Sequence, residues 1–381
     1  SLHDALPISD QRAHPPFVVA IDYRPQQAHR DRVDLDEELR PGQPCHADER
    51  VGGERSIVED DLAKMLVARE IPDGTDRDAR SVQRNDELRE ARVPLRAQGH
   101  DIGSILADFP RHFEPLAASG LRELPLKKEQ FETSATSVWH LQGDVTASLN
   151  AIAEAMRDAR LGHVAHYWRG EQLAVLGPAG QHLGSVERGA VRPLGIATRA
   201  VHLVGFARAG DPGGQSGLWV QQRSLRKAND PGQWDTLMGG MVAASDTLAQ
   251  ALRRETQEEA GLDVDALQGL AHGGRVRICR PTDGDVAHSA TPGIAVPGLG
   301  YMVEEIDWFS ATVPEGLLPV NQDGEVAQFE LLPLDELVAR FGMCGLLIDE
   351  VVASLAGKRL EVAHGAGVSG QHAQHFTAVH V

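Results

Sequence analysis

Apolar positions fall into legible patterns only from about residue 147 onward. Over 147–161, Leu149, Ile152, Ala153 and Met156 recur at the spacing of one helix face, and Gly162 follows as a stop. Residues 171–176 and 182–187 read as short strands flanking Gly177-Pro178-Ala179-Gly180, a hairpin turn. Strands are also predicted over 201–207, 218–223, 275–279, 301–313 and 328–332, with a long helix over 245–259. Two helices, 334–340 and 346–355, close the pattern. Strands mixed with a few helices, without regular βαβ alternation, predict an α/β sandwich.

The preceding part of the chain reads differently. Residues 9–120 are crowded with Arg, Asp, Glu and His, and their short apolar pieces do not recur as a set of amphipathic elements. The first eight residues, Ser1-Leu2-His3-Asp4-Ala5-Leu6-Pro7-Ile8, match one reading frame of a common sequencing-adapter oligonucleotide. The expectation is therefore an artefactual or disordered extension over 1–144, with Val145 as an alternative start. A small α+β accessory domain is expected over 145–197, the main α/β domain over 198–357, and a loose polar tail over 358–381. The histidines of that tail, His364, His372, His375 and His380, are irregularly spaced and are read as solvated. Residues 279–300 form a Gly- and Pro-rich insertion.

Charge and cysteine usage narrow the function classes. A formal net charge of −18 argues against a general nucleic-acid or anionic-membrane binder, since both need basic surface. No stretch approaches the roughly 20 apolar residues of a membrane span, and the opening residues, lacking a basic segment before an apolar one, give no expectation of a secretory signal. Cys45, Cys279 and Cys344 are isolated, so neither a disulfide framework nor a zinc site is expected. A cytoplasmic location is the expectation, and nothing in the sequence sets the oligomeric state.

The candidate chemistry lies on the helix over 245–259. Ser245 is read as its N-cap, Asp246 suits the positive helix end, and Gly261 suits the C′ position. At 3.6 residues per turn, Glu255, Glu258 and Glu259 fall within a sector of about 100°, on the same side as Leu248 and Leu252. Held about 4 Å apart at an effective dielectric near 20, each such like-charge contact costs about 4 kcal/mol. A divalent cation reverses the sign, and hard carboxylate oxygens suit Mg²⁺, with Mn²⁺ as a substitute.

The segment running from Gly240 to Leu262 resembles the Nudix box, G-x5-E-x7-R-E-U-x-E-E-x-G-U with U aliphatic. Gly240, Arg254, Glu255, Glu258, Glu259 and Gly261 match in identity and spacing, and Leu262 matches in type. Asp246 replaces the first glutamate and Thr256 an aliphatic residue. The resemblance implies a Nudix α/β/α sandwich and Mg²⁺-dependent hydrolysis of a small-molecule diphosphate to a monophosphate. It implies metal ligation by Glu255, Glu258 and Glu259, a backbone carbonyl from Gly240, and an ordering role for Arg254. Glu325 is expected as a further catalytic carboxylate, ahead of Glu304 and Glu305.

Short motifs outside the box resemble one Nudix subgroup. They are Trp168-Arg169-Gly170-Glu171, Val201-His202 with Gly205, Pro231-Gly232-Gln233-Trp234-Asp235, and Asp323-Gly324-Glu325-Val326. That subgroup carries an extra N-terminal domain and is related to thiamine pyrophosphokinase-associated Nudix proteins. The resemblance implies thiamine diphosphate, or its damaged oxo- and oxy- forms, as substrate. Trp234 and Trp168 are then candidate walls for the heterocycle, with Arg223 as a further substrate-binding residue. The box region is also similar to isopentenyl diphosphate isomerase, but Asp235-Thr236-Leu237-Met238 lacks the cysteine which that enzyme uses. The alternatives are a hydrolase of nucleotide sugars or oxidised nucleotides, and a non-catalytic ligand sensor.

Overall fold

The computed structural model describes residues 87, 89–113, 124–130, 137–161, 164–207, 217–227, 231–282, 299–333 and 336. The expected extension before residue 87, the 334–340 and 346–355 helices, most of the 279–300 insertion, the polar tail, Cys45 and Cys344 lie outside them.

Four strands precede the first long helix: β1 (Arg92–Ala97), β2 (His100–Leu106), β3 (Leu126–Gln130) and β4 (Ser137–Leu141). They form one sheet in the order β2-β1-β4-β3, in which β1 and β4 run parallel. Helix α1 (Val145–Asp158) follows, then the single turn α2 (Val164–Tyr167) and the hairpin β5 (Gln172–Leu176) and β6 (His182–Glu187). Leu95 and Ile105 from the first sheet, and Phe109 from the turn after β2, share a core with Leu149, Ile152 and Met156 of α1 and Leu173 and Val186 of the hairpin.

This corrects the expected extent of the unstructured extension. The accessory domain takes in strands from residue 92 onward, although 1–144 was expected to be artefactual or disordered. Burying side chains such as Leu95 and Ile105 contributes roughly 1.5–3 kcal/mol each, which an unstructured segment cannot gain. Helix α1 is capped by Asp144, whose carboxylate accepts from Ala147 N at 2.9 Å. It ends before the predicted Gly162, because Arg160 itself takes the left-handed conformation (φ 54°) and Leu161 N donates back to Met156 O.

The second half is a mixed sheet in the order β11-β12-β7-β8-β13, built from β7 (Ala197–Ala207), β8 (Gly217–Arg223), β11 (Gln268–Pro281), β12 (Tyr301–Thr312) and β13 (Val326–Pro333). Two short strands join it: β9 (Trp234–Asp235) pairs with β8 and β10 (Met238–Met241) with β7. β7 and β12 are parallel, and the other pairs antiparallel. Helix α3 (Leu248–Ala260) lies against one face, with Leu248, Ala251 and Leu252 packed on Val201, Leu203, Phe309 and Val313.

The two halves are joined by backbone pairing at one point that matters for the site. Leu173 of β5 forms a bridge with Ala243, and Ala244 N donates to Gln172 O at 2.8 Å. The loop entering α3 is therefore an added rung on the accessory hairpin.

Candidate functional site

The start of α3 differs from the sequence reading. Thr247, not Ser245, is the N-cap: its hydroxyl accepts from Gln250 N at 3.2 Å, while Gln250 Oε1 accepts from Thr247 N at 2.9 Å. This reciprocal capping box satisfies two orphan donors, which a cap at Ser245 would leave open. Asp246 is thereby freed to accept from Arg254 Nε at 3.1 Å. The helix ends at Gly261, which is left-handed (φ 64°) as the C′ reading requires. Thr256, which stands where the box has an aliphatic residue, is fully buried and donates its hydroxyl to Leu252 O at 2.6 Å. Its polar atom is thus satisfied without disturbing the packed face.

The three helix acids are not equivalent. Glu259 is buried, Glu255 is largely covered, and Glu258 is half exposed. Glu255 lies directly over β10: a Cβ built on Gly240 would stand 2.0 Å from Glu255 Cδ. Only glycine admits that approach, which gives the box glycine a steric reason. Gly239 N donates to Glu259 Oε2 at 3.0 Å, and Gln221 Nε2 donates to the same oxygen at 2.9 Å.

Two basic side chains divide the acids between them. Arg254 donates to Glu255 Oε1 at 2.8 Å, Glu258 Oε2 at 3.1 Å and Met241 O at 3.3 Å, besides Asp246. Burial opposes its charge, but the carboxylates of Glu255 and Asp246 outweigh that and strengthen its hold on the proton. Lys227 Nζ lies 3.0 Å from Glu259 Oε1 and also pairs with Glu325. Glu325 is thus linked to the α3 acids through Lys227. It projects from a turn in which its N–H is held by Asp323 Oδ1 at 2.8 Å and Gly324 has a φ of 83°.

Electrostatics separate these carboxyls further. Burial pushes Glu255 up to about 7; the neighbouring Glu259 and Glu258 add to this, and Arg254 opposes it. Burial acts in the same direction on Glu325, but Lys227 outweighs it and holds that carboxyl below its ordinary value.

The remaining predicted residues fall elsewhere. Glu304 accepts from Thr198 Oγ1 at 3.4 Å, and Glu305 faces Arg275 at 3.7 Å. Trp168 packs against the accessory core with the Arg157 guanidinium 4.3 Å from its ring centroid. Trp234 is half-buried in β9 opposite Gln222. Arg223 donates to Asp235 at 3.1 Å.

Sequence reasoning missed Lys227, Gln221 and Asp235 as site residues. Asp235 is fully buried, lies 3.5 Å from His202 Nδ1, and accepts from Thr236 N at 2.8 Å. Burial alone would raise this carboxyl; His202 and Arg223 hold it well below the usual range instead. His202 in turn packs beneath β10, where a Cβ on Gly239 would stand 2.5 Å from the imidazole Cε1. The detectable signal was the polar run Gln221-Gln222-Arg223 in a strand otherwise suited to burial.

Among the described residues, no three His, Cys, Asp or Glu side chains already converge on one point. The donor set is nonetheless all oxygen, and its carboxylates outnumber Arg254 and Lys227, the two cations paired with them. Both properties fit a small hard cation.

The comparisons with known proteins cover the second half of the chain. Residues 199–344 match the NUDIX domain family. Nudix hydrolase 24, chloroplastic, of Arabidopsis thaliana is 28% identical over 153 residues, 40% of this chain and 37% of that protein. An uncharacterized Nudix hydrolase of Pseudomonas aeruginosa is 37% identical over 92 residues, 24% of this chain and 51% of that protein. The chain thus spans about half or less of the length of these relatives. The resemblance to Nudix proteins is carried by residues 199–344 of this chain.

Proposed function

We propose that this chain is a Mg²⁺-dependent pyrophosphohydrolase that cleaves a small-molecule diphosphate to a monophosphate. The observation that carries the reading is the grouping of Glu255, Glu258, Glu259 and Glu325 around the second half of α3, bridged by Arg254 and Lys227. Glu255, Glu258 and Glu259 would hold the cation, which when bound neutralises the diphosphate and acidifies a water. Gln221 and Gly239 N orient Glu259. Arg254 ties the helix to the Asp246 loop and to β10. In the metal-free protein burial raises the Glu255 carboxyl to about 7, so taking up a cation there would displace a proton.

The finer reading is thiamine diphosphate or its oxo- and oxy- analogues. It is supported by the Trp234-Asp235 strand beside Gln221 and by the turn that carries Glu325. Phosphate-product analysis of the full chain with Mg²⁺ tests both levels. The panel holds thiamine diphosphate, its analogues, ADP-ribose, a nucleotide sugar and an oxidised dNTP. Monophosphate release from the thiamine set is the expected result. Preference for a nucleotide discards the substrate and keeps the reaction, whereas no turnover of any diphosphate sinks the hydrolase reading and favours a sensor.

A further inference from the structure

The four acids of the site are held in two pairs, and the two basic side chains that hold them are anchored very differently. Arg254 is fixed at four places: Glu255, Glu258, Asp246 and the Met241 carbonyl. Removing it would unpair the loop that enters α3. The Lys227 ammonium has two ion-pair partners among the described residues, Glu259 and Glu325. It sits at the end of a four-carbon stem in the short turn after β8, where Lys227 N donates to Ser224 O at 3.0 Å.

Glu259 is built to tolerate the loss of this partner. Its Oε2 keeps the Gln221 and Gly239 donors, so the carboxylate stays oriented when Oε1 is released. A divalent cation at Glu259 would lie within a few ångströms of the ammonium, and like charges at that range repel. The ammonium and the cation therefore cannot share the Glu259 carboxylate.

We infer that Lys227 is a built-in counter-ion that closes the Glu259–Glu325 pair in the metal-free protein and must leave it before a divalent cation is held. This positioning role rests on the metal-dependent reading above. Lys227 competes with the metal, so metal affinity is set partly by how firmly the lysine holds the two acids. It also stabilises the protein when metal is scarce, because it neutralises a buried carboxylate that would otherwise lack a cation.

The test is Mn²⁺ binding to the full chain by electron paramagnetic resonance, combined with melting in EDTA, for wild type, K227M and K227R. K227M is expected to bind Mn²⁺ on the order of tenfold more tightly, equivalent to about 1.4 kcal/mol. It should melt below wild type in EDTA, with the gap closing at saturating Mn²⁺, while K227R stays near wild type in EDTA. Equal or weaker Mn²⁺ binding by a folded K227M overturns the inference and leaves the hydrolase reading standing. Absence of Mn²⁺ binding by both wild type and K227M removes the metal-dependent reading and this inference together.

Should K227M fail to fold, ¹³C-lysine spectra of the wild type supply the second readout. The Lys227 ε-carbon signal, identified by its absence in K227R, should move as Mg²⁺ is added. A signal unmoved at saturating Mg²⁺ overturns the inference.

Discussion

The core beneath β1–β4 and α1 gathers Leu95, Ile105, Phe109, Leu149, Ile152 and Met156, all fully buried, with hydrophobic contact as its material. Its main polar fixture, the Asn150 amide, is satisfied by Gln172, Ser185, Glu187 and Thr146. The half that carries α3 also has an apolar seam under the helix, but it buries more ionisable side chains: Glu259, Asp235, Asp307 and His202 are all at most 3% exposed. Each of these has specific partners. Asp307, for example, is met by Arg199, Arg275 and His272 at 2.9–3.1 Å, which hold its carboxyl below the ordinary range. Buried charge is expensive unless paired; the accessory half keeps Glu187 and Arg92 buried, while the half around α3 gathers more of it, around the proposed chemistry.

The largest effect that would sharpen this contrast is on catalysis. Glu255→Gln is expected to lower turnover by about 10²–10⁴-fold while the protein stays folded. Steady-state rates together with circular dichroism check it, and an active or an unfolded variant counts against the assigned role.

On the other side, Leu149→Ala should destabilise by about 2–5 kcal/mol through lost transfer energy and a residual cavity. Turnover per folded molecule should remain that of the parent. Urea melts and active-site titration separate the two quantities; a loss of rate without a loss of stability would erase the division between the halves.

The smallest effect is a pH slope. Glu255 has its proton affinity raised from 4.5 to about 7 by burial and by its acidic neighbours. A raised carboxyl contributes stability that is complete below its unfolded value and lost as pH rises through the folded one. Metal-free stability should therefore fall between about pH 4.5 and pH 7, by about 3 kcal/mol from this group. His202, also raised, acts in the same direction. Unfolding in EDTA across that range should show the decline, and Glu255→Gln should flatten most of it; an unchanged slope in that variant would assign it elsewhere.

Much of this was legible in the chain, for local reasons. The hairpin around 177–180 and the acid spacing on α3 are set by residues a few positions apart, and both appear where the pattern put them. The cap slipped by two residues because Ser245 and Thr247 are both good caps, and only Gln250 at the third position decides between them. The strands over 92–141 were illegible because they carry Arg92, Arg96, Asp101, Lys127 and Lys128, which break the alternation. Arg92 is nonetheless buried, satisfied by the carbonyls of Leu299 and Pro193, 207 and 101 positions away. Lys227 was equally invisible: its significance comes from Glu259 and Glu325, on two other segments.

The rung between Gln172 and Ala244 bears on where the chain can be cut. The sequence family begins at residue 199, but the backbone that feeds α3 is hydrogen-bonded to a hairpin that ends at Glu187. A fragment starting at 199 would leave the Ala244 amide without its carbonyl and Ala243 without its bridge partner, in the loop that leads into the helix. The unit recognisable by descent is thus shorter than the unit that holds its own helix in place, and the difference is one strand pairing.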